Sequence, residues 1–277
     1  MILTIVFWIL ALGGAVGLWL GLQAFSPLWL LLLIPGFYLG VVILYFLILT
    51  IMSAIWSVKD PRKTSKLARV IIRISLDWIC RTLRLKICAS GQEKIPDCPC
   101  VIVSNHRSMF DPLILLIALP MRELVFLSKI ENFKMPLIGG FMRHAGCVAV
   151  DRGNGMKALR SLKKGADLMK TEGLDLGVYP EGPRSRTGKL LRFKTGAFYL
   201  AQKAEAPIVV MTTVGTEKAL KKLFITKKTL RFDVHEVIPK EAVLEASMDE
   251  LAEKCKEIIA SKLAILDPKS VETETDQ

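Results

Sequence analysis

The run VIVSNHRSMFDP, residues 101–112, takes a stretch of β-branched residues into an Asn, a His and an Arg, with an Asp five positions after the His. The chain has 277 residues and three histidines, which makes His106 conspicuous. An imidazole held at one ring nitrogen by a carboxylate keeps the other nitrogen as a positioned general base. On a regular helix, five steps of about 100° would leave His106 and Asp111 about 140° apart. In a turn that leads into a helix the two side chains converge instead. Asp111-Pro112 has the form of such a start, with Asp as N-cap and Pro at the first helical position. Capping alone would also account for Asp111, and a solvated loop for His106.

A second concentration lies in YPEGPRSRTGKLLRFKTGAF, residues 179–198, where Arg184, Arg186, Lys189, Arg192 and Lys194 follow a Pro-Glu-Gly. Guanidinium groups match phosphate oxygens two at a time, and glycine lets backbone approach a ligand closely. The stretch has the character of a phosphate cradle; Glu181 and the glycines set it apart from a solvated basic loop. Within residues 126–154, Lys129 follows one strand-like run and Arg152 ends the next. Three strand ends, each offering a cation or a titratable group, form a constellation of the kind α/β folds place at the carboxyl ends of their strands.

The elements that must position these groups alternate. Strand-like runs fall at 85–89, 100–104, 124–127, 147–150, 175–179, 208–214 and 229–237, with helical stretches at 112–119, 155–171, 193–204 and 248–266. Such alternation, with apolar β-branched strands, predicts an α/β domain built on a mostly parallel or mixed, buried sheet.

Ahead of it stands a different kind of chain. Residues 1–58 hold no Asp, Glu, Lys, Arg or His; the first charge is Lys59. About 20 apolar residues span about 30 Å of hydrocarbon, and residues 2–21 and 28–57 give room for two such helices joined by LQAFSP. A basic leader region is missing and a second apolar run follows directly, which disfavours a cleaved signal peptide. The cations that follow, Lys59, Arg62, Lys63, Lys66 and Arg69, predict a cytoplasmic flank, with both ends of the hairpin on that side. Charges at 66, 69, 73, 77, 81 and 84 fall on one stripe of a helix, suiting either the membrane interface or packing on the protein's own core. The expected division is a membrane hairpin over 1–57, an interfacial helix over 58–88, a catalytic domain over 89–266 and a polar tail over 267–277.

Six cysteines without paired metal spacing read as reduced thiols facing the cytosol. The net charge of +12 calls for anionic partners, and lipid heads or phosphorylated substrates suit a membrane protein better than nucleic acid, for which there is no motif. Lys218–Arg231 is another basic stretch, either a lipid-head or carrier contact or an exposed loop. No G-x-S-x-G elbow points to a covalent esterase.

Four blocks in order resemble the glycerolipid acyltransferases, specifically the 1-acylglycerol-3-phosphate acyltransferases of the PlsC type. The first, Asn-His-x4-Asp, is met by Asn105 to Asp111; the second by Ser128-Lys129 through Pro136 and Gly139 to Asp151-Arg152. The third, usually Phe-Pro-Glu-Gly-Thr-Arg-Ser, appears as Tyr179 to Ser185, and the fourth opens at Ala206-Pro207-Ile208-Val209. Pro183 stands where the family has threonine, removing a hydroxyl and a backbone N–H from the loop. The resemblance implies a glycerolipid-acyltransferase-like fold with His106 and Asp111 catalytic. It implies that Asn105, Lys129, Arg152, Glu181, Gly182 and Arg184 serve the acceptor, with no metal and no cofactor. Its partners would be the lipid bilayer, lysophosphatidate, and acyl-CoA or acyl carrier protein as donor. The implied reaction is acyl transfer to the sn-2 hydroxyl, giving phosphatidate; a sibling acting on another lysophospholipid or on glycerol 3-phosphate shares the same blocks.

Overall fold

A computed structural model describes residues 2–22, 26–58, 63–151, 153–185, 189–220 and 226–268. The chain divides into two compact units, Met1–Trp78 with Glu131–His144, and Ile79–Ile130 with Ala145–Gln277.

In the first unit, α1 (Ile2–Leu22) and α2 (Leu30–Trp56) form a hairpin of two helices long and apolar enough to cross a membrane. Neither is a buried core helix: Ile9, Leu20, Leu31, Leu39 and Ile55 are among many large apolar side chains left exposed. Helix α3 (Lys66–Thr82) leads towards the second unit. The Tyr45 hydroxyl meets Ser75 Oγ at 2.7 Å, and Phe7 packs edge-on against Tyr45 and Trp78. Along α3, Arg69 is buried with Nη1 donating to Thr64 Oγ1 at 2.9 Å, whereas Leu67 is 59 % exposed and Val70 and Ile74 are exposed as well. The exposed side chains in the middle turns of α3 are therefore apolar, with Lys66 and Arg81 exposed towards its two ends.

Residues 131–144 correct the expected continuous domain, because they cluster with the N-terminal helices. The Gly140 N–H donates to Ser53 Oγ at 3.0 Å, Ser65 N–H donates to His144 O at 2.7 Å, and the His144 ring stacks on Trp56 at 4.7 Å. A Cβ on Gly140 would strike the Ser53 carbonyl, so only glycine allows this approach.

The second unit is a seven-stranded sheet of order β1-β7-β6-β2-β5-β3-β4, with β1 (Leu85–Ser90), β2 (Val101–Ser104), β3 (Leu124–Lys129), β4 (Val148–Val150), β5 (Asp175–Val178), β6 (Ile208–Val214) and β7 (Lys228–Ile238). The five strands β6, β2, β5, β3 and β4 run parallel; β7 is antiparallel to β6, and β1 is parallel to β7. The sheet is mixed, as expected. Since β1 begins at Leu85, the boundary expected after residue 88 falls inside a paired strand.

Alternation along the strands builds two cores. Val101, Val103, Val125, Leu176, Ile208 and Val210 face one layer; Cys100, Ile102, Leu124, Phe126, Val209 and Met211 face the other. Each such side chain contributes about 1.5–3 kcal/mol on burial, which fixes the register because a one-residue slip would exchange the faces. The helices of this unit are α4 (Asp111–Ala118), α6 (Gly155–Glu172), α7 (Gly196–Ala204), α8 (Lys240–Glu245) and α9 (Met248–Leu266), while α5 (Gly139–Ala145) falls in the first unit but for its last residue. Residues of α6, α7, α8 and α9 cover the first layer and α4 the second. A capping box between Ser247 and Glu250 opens α9, and Asn154 caps α6. None of the six cysteines is in a disulfide.

Candidate active site

The carboxyl ends of β2, β5 and β6 lie side by side at the middle of the sheet, and the loops leaving them meet around His106. Asp111 is the first residue of α4 rather than its N-cap, a place taken by Phe110. Its carboxylate turns back into the preceding turn. Oδ2 accepts from His106 Nδ1 at 2.8 Å, Arg107 N–H at 2.7 Å and Ser108 N–H at 2.8 Å. The turn thus achieves the convergence that a regular helix would forbid. Asp111 is 0 % exposed and His106 sits at the surface edge. A carboxylate oxygen that meets three N–H groups selects the Nδ1–H tautomer of the neutral ring, the form whose lone pair is on Nε2.

The backbone of His106 is held from the other side by the loop after β5. Glu181 Oε1 accepts the His106 N–H at 2.6 Å, and Ser185 N–H donates to the His106 carbonyl at 3.0 Å. The second Glu181 oxygen accepts Leu191 N–H at 3.0 Å. With 2 % of its surface exposed, Glu181 is pushed up to about 7 by burial, against the two backbone donors that favour its charge. Gly182 has φ +82°, and a Cβ there would stand 3.2 Å from Lys194 Nζ. Glycine therefore serves both the turn and the approach of a cation.

Asn105 is likewise turned inward. Its amide accepts from Thr213 N–H at 2.8 Å and donates to Thr213 O at 2.9 Å, standing in for a strand partner beyond the end of β2. Lys129 is exposed at the end of β3; Phe126 pairs with Gly177, so Lys129 lies level with the start of the β5 loop. Arg184 is exposed in that loop beside Pro183. Arg152 and Arg186 lie outside the described residues, as do 221–225 of the basic 218–231 stretch. Among the described residues no His, Cys, Asp and Glu side chains gather as metal ligands.

The Acyltransferase family matches residues 86–214, which contain His106, Asp111 and the loops around them but not the basic 218–231 stretch. Over those residues the chain is similar to that family. Two curated relatives are 1-acyl-sn-glycerol-3-phosphate acyltransferase beta of Homo sapiens, 36% identical over 159 residues and 57% of each chain, and a 1-acyl-sn-glycerol-3-phosphate acyltransferase of Chlamydomonas reinhardtii, 32% identical over 193 residues, 67% of this chain and 56% of that one. This chain thus spans little more than half the length of either. The acyltransferase PlsC of Thermotoga maritima, whose name specifies 1-acyl-sn-glycerophosphate, has the same fold: TM-score 0.57 at 25% identity, covering 73% of this chain and 78% of that chain.

Within the matched residues the sequence spacing brought His106 and Asp111 together on paper, and the geometry does so in space. Sequence reasoning missed what surrounds them. Tyr179 stacks on the His106 ring at 4.4 Å, and Arg107 is tied to Glu217 and Asp267. Tyr179 and Arg107 lie inside the matched blocks, so a signal existed; Thr213, Glu217 and Asp267 carried none.

Proposed function

We propose that the chain transfers an acyl group from a thioester donor, acyl-CoA or acyl carrier protein, to the sn-2 hydroxyl of 1-acylglycerol 3-phosphate, giving phosphatidate. The observation that carries this reading is the His106–Asp111 pair, 2.8 Å apart, within the residues similar to the Acyltransferase family. The names of the relatives supply the acceptor. His106 Nε2 takes the hydroxyl proton as the oxygen bonds to the thioester carbonyl carbon. As the tetrahedral intermediate collapses, the C–S bond breaks and the imidazolium returns the proton to the departing sulfur. The step uses no metal ion and no resident cofactor.

Roles for the other residues divide by what they already hold. Arg184, Lys129, Gly182 and Arg152 serve the acceptor's phosphate and glycerol, the first two being exposed cations on the loops of neighbouring strands. Asn105 and Glu181 have committed their polar atoms to Thr213, His106 and Leu191. They act on the acceptor by holding the loops that meet it. Fixing both reactants in this way makes the attack effectively intramolecular.

Acceptor and product are bilayer lipids, which gives α1 and α2 a purpose as membrane-inserted helices and the apolar side of α3 a place at the interface. The basic flank after residue 58 puts the catalytic domain on the cytoplasmic side.

The test is acyl transfer by the full chain in liposomes, with acyl-CoA and acyl carrier protein as separate donors, beside His106→Ala. Loss of turnover in a folded variant supports the base; surviving turnover removes His106 from the role. Glycerol 3-phosphate and a phosphate-free lysolipid, offered in place of lysophosphatidate, decide the acceptor.

A further inference from the structure

His106 is followed by an arginine whose side chain points away from bulk water. Arg107 is 9 % exposed, and its guanidinium reaches two acidic residues from distant parts of the chain. Nη1 donates to Asp267 Oδ2 at 2.5 Å, just past the end of α9, whereas Nε lies 3.6 Å from Glu217 Oε2 in the turn after β6, a charge contact in which neither atom makes a hydrogen bond among the described residues. Its own backbone N–H donates to Asp111 Oδ2, the oxygen that holds His106. Arg107 therefore belongs to the catalytic turn by its main chain and to α9 and the β6 loop by its side chain.

We infer that Arg107 is a positioning residue for the general base, latching the 105–111 turn to the end of α9 and to the loop after β6. The inference rests on the acyl-transfer reading above and names a residue and two partners that it does not. The physical need is plain. Asp111 holds the turn from within, Glu181 from the β5 side, and Asn105 ties its first residue to β6 at Thr213, but none of the three reaches the end of α9. A planar guanidinium can engage two carboxylates at fixed angles, which an ammonium on a flexible stem cannot. A buried Arg with one carboxylate removed, or the reverse, leaves an uncompensated charge, so the latch closes or fails as a unit. Asp267, which reads from sequence as the first residue of a loose polar tail, is one of its two ends. Because the latch touches neither the exposed cations of the acceptor loop nor His106 Nε2, its loss acts on the placement of the base rather than on binding.

The experiment compares Arg107→Gln, Arg107→Lys, Asp267→Asn and the Arg107→Gln/Asp267→Asn double variant in the full chain. Two readouts are taken: acyl transfer in liposomes, and hydrogen–deuterium exchange of residues 105–111, which needs no turnover. The latch requires that Arg107→Gln lower kcat on the order of 10²-fold with KM for lysophosphatidate unchanged, since misplacement of about 1 Å has an effect of that size. Arg107→Lys recovers part of the rate. The double variant loses no more than the worse single, because the two side chains form one interaction. Exchange rises in 105–111 in each. If wild type fails to transfer acyl groups yet the variants loosen 105–111, the acyl-transfer reading falls and the latch stands. If wild type is active and Arg107→Gln keeps both its rate and its protection, or if the two single losses multiply, the latch is overturned.

Discussion

The imidazole of His106 lies over the phenol ring of Tyr179, centroids 4.4 Å apart and planes 22° from parallel. Phe126 continues the stack 6.2 Å beyond Tyr179. The stack fixes the plane of the imidazole while Asp111 fixes its rotation. The Tyr179 hydroxyl is buried without a hydrogen-bond partner among the described residues, and burial, then the Asp111 carboxylate, push the phenol well above its usual range. The ring does the positioning, and the hydroxyl is an orphaned donor. Tyr179→Phe is expected to raise stability by about 1 kcal/mol, at the low end of the penalty for an unsatisfied buried group, and to keep kcat. Tyr179→Ala is expected to lower kcat on the order of tenfold, since a loosely held base loses orientation. Urea unfolding and initial rates check both, and a Phe variant less stable than wild type would reveal a partner for the hydroxyl.

Asp111→Asn keeps the shape of the side chain and removes its charge. The three N–H donors that converge on Oδ2 then meet an uncharged oxygen or an NH₂ group. The ring loses the partner that sets its tautomer, and a fall in kcat of about 10²–10⁴-fold is expected. Lysophosphatidate binding by the variant should stay near that of wild type, because the acceptor cations lie on other loops. Equilibrium binding beside single-turnover rates separates the two effects.

Glu181 gives the protein a pH dependence. Its carboxyl is raised from the ordinary value of 4.5 to about 7, so the folded state holds a proton that the unfolded chain has released. The corresponding stability is fully present below about pH 4.5 and is lost as pH rises through about 7. Glu181→Gln cannot titrate and turns an NH₂ towards His106 N–H or Leu191 N–H, so it starts lower by about 1–3 kcal/mol. The gap between wild type and variant should therefore narrow from pH 5 to pH 8 in denaturant titrations. A constant gap would place the carboxyl's titration elsewhere.

The exposed apolar side of α3 predicts a depth profile. Spin labels at positions 67, 70 and 74 in liposomes should be more accessible to oxygen than to a water-soluble nickel complex, and a label at position 81 the reverse. Leu67, Val70 and Ile74 each hold apolar surface that membrane burial would reward by up to about 1.5–3 kcal/mol. Equal nickel access at all four positions would lift the helix off the interface.

How much of this was legible in the sequence follows from how far each interaction reaches. Short apolar, β-branched runs set between helical stretches placed all seven strands to within a few residues, because each strand writes its own burial into its own side chains. His106 and Asp111, five residues apart, were legible as a pair. Glu181 was not legible as a brace for His106, nor Asn105 as a partner of Thr213, because those contacts join residues 75 and 108 apart and no local pattern marks them. The motif reads as a set of groups facing a substrate; two of its polar members in fact face the protein. Residues 131–144 were misplaced for a different reason. An apolar segment carrying Pro136, Gly139 and Gly140 reads the same whether it covers a sheet or packs on helices, and the close approach at Gly140 exists only once Ser53 is beside it.

The pairing of β1 with β7 also sets a clock on synthesis. Partners in that ladder stand 143 residues apart, Ser90 opposite Asp233 among them. The β1 segment leaves the ribosome long before β7, its partner in the finished sheet. At about 5–20 residues per second, the wait is on the order of ten seconds. Throughout it β1 is an open edge with cores on neither side. The fold is thus one whose translation speed and chaperone cover bear directly on yield. Slowing codons placed before β7 should be more harmful than the same codons placed after it.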